Sequence, residues 1–195
     1  MDGPQWMGSA MRASRERLDV AAHNLANASS DGFRKIAADV RLGTDGLSVA
    51  ERTTDEQGGL RTTGRTFDLA LLGPGAFHVG GTATRNGAFT RDRDGLIVDD
   101  RGRALHGACG ALRVSEHAHI DRDGFVHDGG RVVDRLVLPA GTHVQAGALE
   151  TSTVNPVDET LTILTAQRAF ETAQKTLSAI DELREKAAND VVRLK

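Results

Sequence analysis

Tyrosine is absent from this 195-residue chain, tryptophan occurs once, and aromatic residues make up only 4% of it. A ligand pocket walled by aromatic rings is therefore poorly provided for. The single cysteine, Cys109 in the small-residue run Gly107–Ala111, excludes an internal disulfide and a cysteine-rich zinc site, and reads as inert packing. There is no basic excess either: 24 Lys and Arg stand against 27 Asp and Glu, a formal net charge of -3. Nucleic acid is thus not an expected partner, because nothing would condense onto a phosphate backbone. No apolar run approaches the ~20 residues of a membrane-spanning helix, so stable membrane insertion is not expected. The opening residues MDGPQWMGSAMRAS lack the basic start, apolar middle and small-residue cleavage site of a secretory signal, which predicts a cytoplasmic chain or one exported without signal removal.

What the chain does have is 22 glycines, hydrophobic content of 39%, and two ends that differ from the middle. Between Val20 and Ser30 there is no Asp, Glu, Lys or Arg. A surface helix normally sets a charged face against an apolar stripe, so this segment is expected to be covered on more than one side. From about Gln5 to Ala28 a seven-residue repeat places Met11, Leu18 and Leu25 in one column and Met7, Ser14, Ala21 and Ala28 in another, a helix with a narrow seam. Ser29, Ser30, Asp31 and Gly32 end it. At the other end Asn155-Pro156 signals a helix start, with Asn as cap, Pro at the first helical position, and Asp158 and Glu159 against the positive end of the dipole. Its seam runs Ile163, Ala166, Phe170, Ala173, Leu177, Ile180, Arg184, Ala187, Val191 and Leu194, in steps of three and four. The two seams are natural partners for one another.

In the middle the period changes to two. Residues 66–71, 76–79, 96–98 and 131–138 read as short strands, punctuated by Gly73-Pro74-Gly75, Asn86-Gly87, Asp94-Gly95, Arg101-Gly102, Asp123-Gly124 and Gly129-Gly130. The predicted fold is α+β: N- and C-terminal helices paired as a coiled coil, with a central small antiparallel all-β domain. The expected division is 1–35 for the N-terminal helix and its motif, 36–146 for the β domain with an extended linker, and 147–195 for the C-terminal helix.

Chemical sites are few. His117 and His119 form an H-x-H pair whose imidazoles would share one side of a strand, but no third metal ligand follows at a recognisable spacing. Asp-Arg-Asp-Gly occurs at 92–95 and 121–124, without the further ligands and closing Glu of a calcium loop, so hairpin turns explain both. There is no G-x-S-x-G, no Walker loop and no Cys–His context, and no helix follows Gly73-Pro74-Gly75 to hold a phosphate. Neither an enzyme nor a cofactor is expected.

The stretch LDVAAHNLANASSDGFRK (18–35) is similar to the N-terminal signature of bacterial flagellar rod, hook and hook-associated proteins, a helix ending in N-N-L-A-N-x-x-T-x-G-F. Leu18, Asn24, Leu25, Ala26, Asn27, Gly32 and Phe33 match it, and His23 replaces the usual first Asn. GALETSTVNPVDETLTILTAQRAFETAQKTL (147–177) resembles the C-terminal G-x-L-E-x-S-N-V-N-P-V-x-E segment and its A-Q-R-A-Y/F-E helix, with Thr153 for the usual Asn. TGRTFDLALLGPGAFHV (63–79) and TRNGAFTRDRDGLIVDDRGRALHG (84–107) resemble the β domain of the rod proteins, and the order and RNGAF–LHG spacing favour the proximal over the distal rod subunit.

The resemblance implies a structural subunit of the flagellar basal body, exported by the flagellar type III apparatus without a cleaved signal and polymerising helically into the rod that crosses the periplasm and transmits torque. Its partners would be further copies of itself and the other rod and hook-basal-body subunits. The terminal helices would then meet neighbouring subunits through Met11, Leu18, Ala21, Asn24, Leu25, Asn27, Ile163, Phe170, Ala173, Leu177 and Ile180. Two other readings compete: a β-domain binding module on a coiled-coil stalk, and a metal-dependent enzyme using His117 and His119 with a nearby aspartate such as Asp121. The segment after Leu138 is short, which reduces one loop of the β domain.

Overall fold

The computed structural model describes residues 3–193. They form α+β structure: helix α1 (Gly3–Ala26), a hairpin of strands β1 (Ile36–Gly43) and β2 (Gly46–Thr53), a series of short strands, and helix α2 (Pro156–Arg193). The chain divides into two compact units. One contains α1, residues 35–54 and the chain from Val154 through α2; the other contains residues 27–34 and 55–153.

In the helical unit α1 and α2 pack antiparallel. A Cβ at Gly3 would lie 3.6 Å from Ile180 Cδ1, and at the other end Asn24 Nδ2 donates to Glu159 Oε2 at 3.2 Å. Small side chains are buried where the helices meet, among them Ser14 and Ala21 of α1 and Ala166 and Ala173 of α2. Small residues let the helix axes approach closely, which large side chains would prevent. Along the α2 seam Ile163, Phe170, Leu177 and Ile180 are half-buried. Beyond Ile180 the cover ends, and Asp181–Ala187, including Arg184, are exposed. The physical reason is length: α1 has 24 residues and α2 has 38, and at ~1.5 Å per residue the shorter helix cannot reach the end of the longer. The Val191 side chain and Leu194 lie outside the described residues.

Residues 36–53 form an eight-residue-per-strand hairpin within the helical unit. Its register, Ile36↔Thr53 to Gly43↔Gly46, puts Ile36, Ala38, Val40, Leu42, Leu47 and Val49 on one face. Two side chains of α1 anchor it. Ser9 Oγ accepts from the Leu47 N–H at 3.2 Å near the tip, and Asn24 grips Ile36 at the base.

The β unit is built from two- to five-residue antiparallel strands around a core that includes Leu69, Leu71, Phe77, Phe89, Ile97 and Leu105. Phe77 and Phe89 meet edge to face, 5.3 Å between centroids. A four-stranded sheet runs in the order 110–111, 105–107, 77–79, 82–84, and a three-stranded one in the order 119–120, 125–128, 131–135. The first predicted strand begins at Leu69 rather than Thr66, because Asp68 is fully buried as the partner of Arg65 and residues 66–67 turn. The last ends at Arg135 rather than Leu138, and Leu136 bridges instead to Gly107.

Both Asp-Arg-Asp-Gly copies are turns, and Asp99–Arg103 repeats their geometry. In each, the aspartate carboxylate accepts from the N–H groups two and four residues on: Asp94 and Leu96 for Asp92, Arg101 and Arg103 for Asp99, Asp123 and Phe125 for Asp121. Each glycine has positive φ, between 74° and 82°, where its missing Cβ removes the penalty.

Candidate assembly surfaces

Within the β unit the two sequence signatures meet. The Gly32 N–H donates to the Glu150 carbonyl at 2.7 Å, the Thr153 N–H donates to the Phe33 carbonyl at 3.1 Å, and Arg61 pairs with Asp31 at 2.9 Å. Gly32 sits at φ 69° with its α-carbon against the Arg85–Asn86 peptide, where a Cβ would fall 2.3 Å from the Arg85 carbonyl carbon. Only glycine satisfies both conditions, which is why the Asp31-Gly32-Phe33 run has one.

Behind this joint lies a buried ion pair. Arg85 Nε donates to Glu150 Oε2 at 2.7 Å, and the two side chains are 5% and 1% exposed. The rest of the guanidinium donates to the carbonyls of Gly73 and Gly75 at 2.9 Å and of Leu71 at 2.8 Å, while Glu150 Oε1 accepts from the Gly58 N–H. One side chain thus ties together the 73–75 loop, strand Leu69–Leu72 and strand Ala148–Glu150. Sequence reasoning counted Glu150 as part of a motif and missed Arg85, which sits in a stretch that reads simply as a turn.

In the helical unit Asn24 is 1% exposed. Its Nδ2 donates to the Ile36 carbonyl at 2.8 Å and to Glu159, its Oδ1 accepts from the Ile36 N–H at 2.9 Å, and Lys35 Nζ pairs with Glu159 at 2.6 Å. The amide mimics a strand partner for Ile36, a role that neither a carboxylate nor a hydrocarbon fills. The hydrogen-bonding groups of Asn24 are thus taken up inside the chain. Asn27 is likewise engaged in its own turn, accepting from Ser30 Oγ at 3.2 Å.

The other predicted interface residues fall into two groups. Ala21 and Ala173 are buried, whereas Met11, Leu18, Leu25, Ile163, Phe170, Leu177 and Ile180 are half-buried and keep surface for a further contact. Leu18 and Phe170 come together in a groove of about 450 Å³ beside Arg15, Asp19, Gln167 and Glu171. A second groove, about 460 Å³, runs along the helix pair between Met7 and Ala10 of α1 and Ala169, Thr172, Ala173 and Thr176 of α2. On the side of α2 away from its seam, Val157, Leu161 and Leu164 are 66%, 56% and 47% exposed.

The candidate metal ligands do not converge. His117 lies in an exposed turn, and His119 stacks instead on His127, 4.9 Å between centroids, while His127 Nε2 bonds Asp121 at 2.9 Å. Among the described residues no group of three or more His, Cys, Asp and Glu is placed to hold a metal. The exposed Cys109 thiol is pushed up by the charge of, and a hydrogen bond with, Asp134, which disfavours the reactive thiolate.

A helix from each terminus packed together, a β unit that locks the two adjoining motifs, and apolar surface left over on the helices define a structural subunit. The match to known proteins is specific at both ends. Residues 7–34 match the model described as flagella basal body rod protein, and residues 145–190 match the C-terminal model of the flagellar basal body rod FlgEFG proteins. The chain is 28% identical to the flagellar basal-body rod protein FlgF of Caulobacter vibrioides over 94% of its own length and 95% of the relative. It is 25% identical to the flagellar basal-body rod protein FlgG of Bacillus subtilis over 93% and 96%. To the flagellar hook protein FlgE of Brucella abortus it is 35% identical, over 51% of this chain and 29% of that one. The two family-model matches, together with similarity to FlgF and FlgG proteins over nearly the whole chain, support a flagellar basal-body rod protein and a structural role in the rod.

Proposed function

We propose that this chain polymerises helically through its terminal helices into the rod that crosses the periplasm and transmits torque, with α1 and α2 wound as a coiled coil near the rod axis. One observation carries the reading: the small-residue contact between α1 and α2 is closed within the chain, yet Val157, Leu161 and Leu164 of α2 stay exposed and α2 overhangs α1 beyond Ile180. The half-buried seam residues Met11, Leu18, Leu25, Ile163, Phe170, Leu177 and Ile180, with the buried Ala21 and Ala173 beneath them, are the proposed assembly face. Its partners are further copies and the other rod and hook-basal-body subunits, a reading supported by the similarity to both rod and hook proteins. Export by the flagellar type III apparatus without signal cleavage belongs to the same proposal. No stable membrane insertion is included, and no helix among the described residues is long and apolar enough to cross a membrane.

Within the rod the proximal position is proposed, on the RNGAF–LHG spacing of residues 85–107 and the overall order of the segments. The alignment with the Caulobacter FlgF protein runs over 233 positions, more than the chain's 195 residues, so that relative carries internal segments missing here. The test is deletion of the gene followed by electron microscopy of isolated basal bodies. Rods should be absent or truncated and swimming lost, with both restored by the wild-type gene. A deletion strain that builds complete rods and swims refutes the proposal.

A further inference from the structure

We infer that successive copies of this chain join by a heterologous contact, in which the Val157–Leu161–Leu164 stripe of one copy enters the groove between Met7, Ala10, Ala169, Thr172, Ala173 and Thr176 of the next. The inference rests on the rod reading and specifies the two surfaces it needs. At ~100° per residue Val157, Leu161 and Leu164 align on one side of α2, opposite Glu159, Ala166 and Ala173, which face α1. A stripe so placed cannot be covered by its own helix partner.

The groove suits such an occupant. Ala10, Ala169 and Ala173 make a shallow apolar floor, and Met7 supplies an adaptable wall. Its two threonines make no demand on a partner, because Thr172 Oγ1 donates to the Arg168 carbonyl and Thr176 Oγ1 to the Thr172 carbonyl, each at 2.8 Å.

Charge agrees with shape. Asp158 flanks the stripe and Arg168 lines the groove, and both are exposed. From Leu161 to Thr172 is eleven positions and from Asp158 to Arg168 is ten, so one shift of roughly 16 Å along the axis seats the stripe and brings the two charges together. Because stripe and groove are different patches, every added copy presents a fresh groove and a fresh stripe, and the contact propagates instead of closing on itself. A second copy is therefore the occupant that the shape, the charges and the shared offset all select.

The experiment uses the full chain carrying Cys109→Ser, with Leu161→Cys, Thr172→Cys, or both, all at exposed sites outside the core. It is run in isolated basal bodies and on the purified chain concentrated in solution. Under oxidation the double variant should give a ladder of multimers. Each single variant should stay monomeric, and a mixture of the two singles should stop at dimers. Asp158→Arg and Arg168→Asp should each weaken assembly at least tenfold, and the two together should recover it. Crosslinked homodimers of either single variant would mean an isologous contact and overturn the inference. So would basal bodies that contain the double variant but yield no ladder, an outcome that leaves the rod reading intact. Absence of the chain from basal bodies overturns the rod reading instead, and the contact is then decided by the purified chain, where no ladder is again a refutation.

Discussion

Replacing Arg85 with methionine should unfold much of the β unit's stability at a stroke. The side chain is 5% exposed and its carboxylate partner 1%, so the substitution leaves the Glu150 charge in a dry site with one remaining donor, the Gly58 N–H. Removing one member of a buried pair costs about 3–5 kcal/mol. The carbonyls of Gly73 and Gly75 lose a donor too, and each would add about 1 kcal/mol or more if water did not replace the bond, whereas the Leu71 carbonyl keeps Gln57 Nε2 at 2.9 Å. A total near 5 kcal/mol is comparable to the whole stability of many small domains, about 5–15 kcal/mol. Glu150→Gln retains an acceptor for Gly58 and leaves the guanidinium on its three carbonyls, so it should cost less. In the double variant the uncompensated charge disappears, and its loss should fall short of the sum of the singles by at least ~1 kcal/mol. Urea unfolding followed by far-UV circular dichroism measures this. Trp6, the only tryptophan, lies in α1 and reports on the helical unit, so its fluorescence serves as the internal control. An Arg85→Met chain within ~1 kcal/mol of wild type would refute the reasoning.

Gly32→Ala should be destabilising by several kcal/mol, from a strained positive φ and a Cβ driven into the Arg85–Asn86 peptide, seen as a lower melting temperature; an unchanged melt contradicts the close packing. Asn24→Asp replaces an amide donor by an oxygen facing the Ile36 carbonyl and the Glu159 carboxylate, so the helical unit should lose about 3 kcal/mol by Trp6 fluorescence, whereas Arg15→Ala, at an exposed site, should change it by less than ~0.5 kcal/mol. Equal effects of the two would remove the clamp assigned to Asn24. Acid should weaken the β unit. Burial is the largest influence on Asp68, Asp99 and Asp121 and pushes their carboxyls up, but donors outweigh it: Arg65 and Thr63 for Asp68, Arg103 and Arg101 for Asp99, His127, Phe125 and Asp123 for Asp121. The Ser115 hydroxyl is the main cause holding Asp128 down. With folded pKa values below unfolded ones, this stabilisation is complete above about pH 4 and is lost as pH falls through the folded values. Melting temperature measured downward from about pH 6 should drop at the acid end, less steeply for Asp121→Asn, and a flat profile would contradict the assignment.

Local chemistry alone determined a good deal of this protein. The heptad spacing of Ile163 to Ile180 marks the covered side of α2, and Asn155-Pro156 starts it as capping rules require, with Asn155 Oδ1 accepting from the Val157 N–H at 3.0 Å. The Asp-Arg-Asp-Gly turns and the strands at 77–79 and 97–98 were equally legible, since each depends on residues within a few positions of one another. The end motifs pointed to the family for the same reason: their residues are contiguous. What stayed hidden depends on partners distant in sequence. Residues 36–53 alternate in polarity and carry an Asp-Gly turn, but their place beside α1 is decided by Ser9 and Asn24, whose side chains replace missing strand neighbours. The uncharged stretch around LDVAAHNLAN looked reserved for other subunits. For Asn24 the burial is internal, because an amide that both donates and accepts completes the edge of Ile36. Arg85 and Glu150 stand 65 positions apart, and no local pattern distinguishes an arginine in a turn from one that neutralises a buried carboxylate. Only the folded chain, by excluding water from that pair, makes the arginine indispensable.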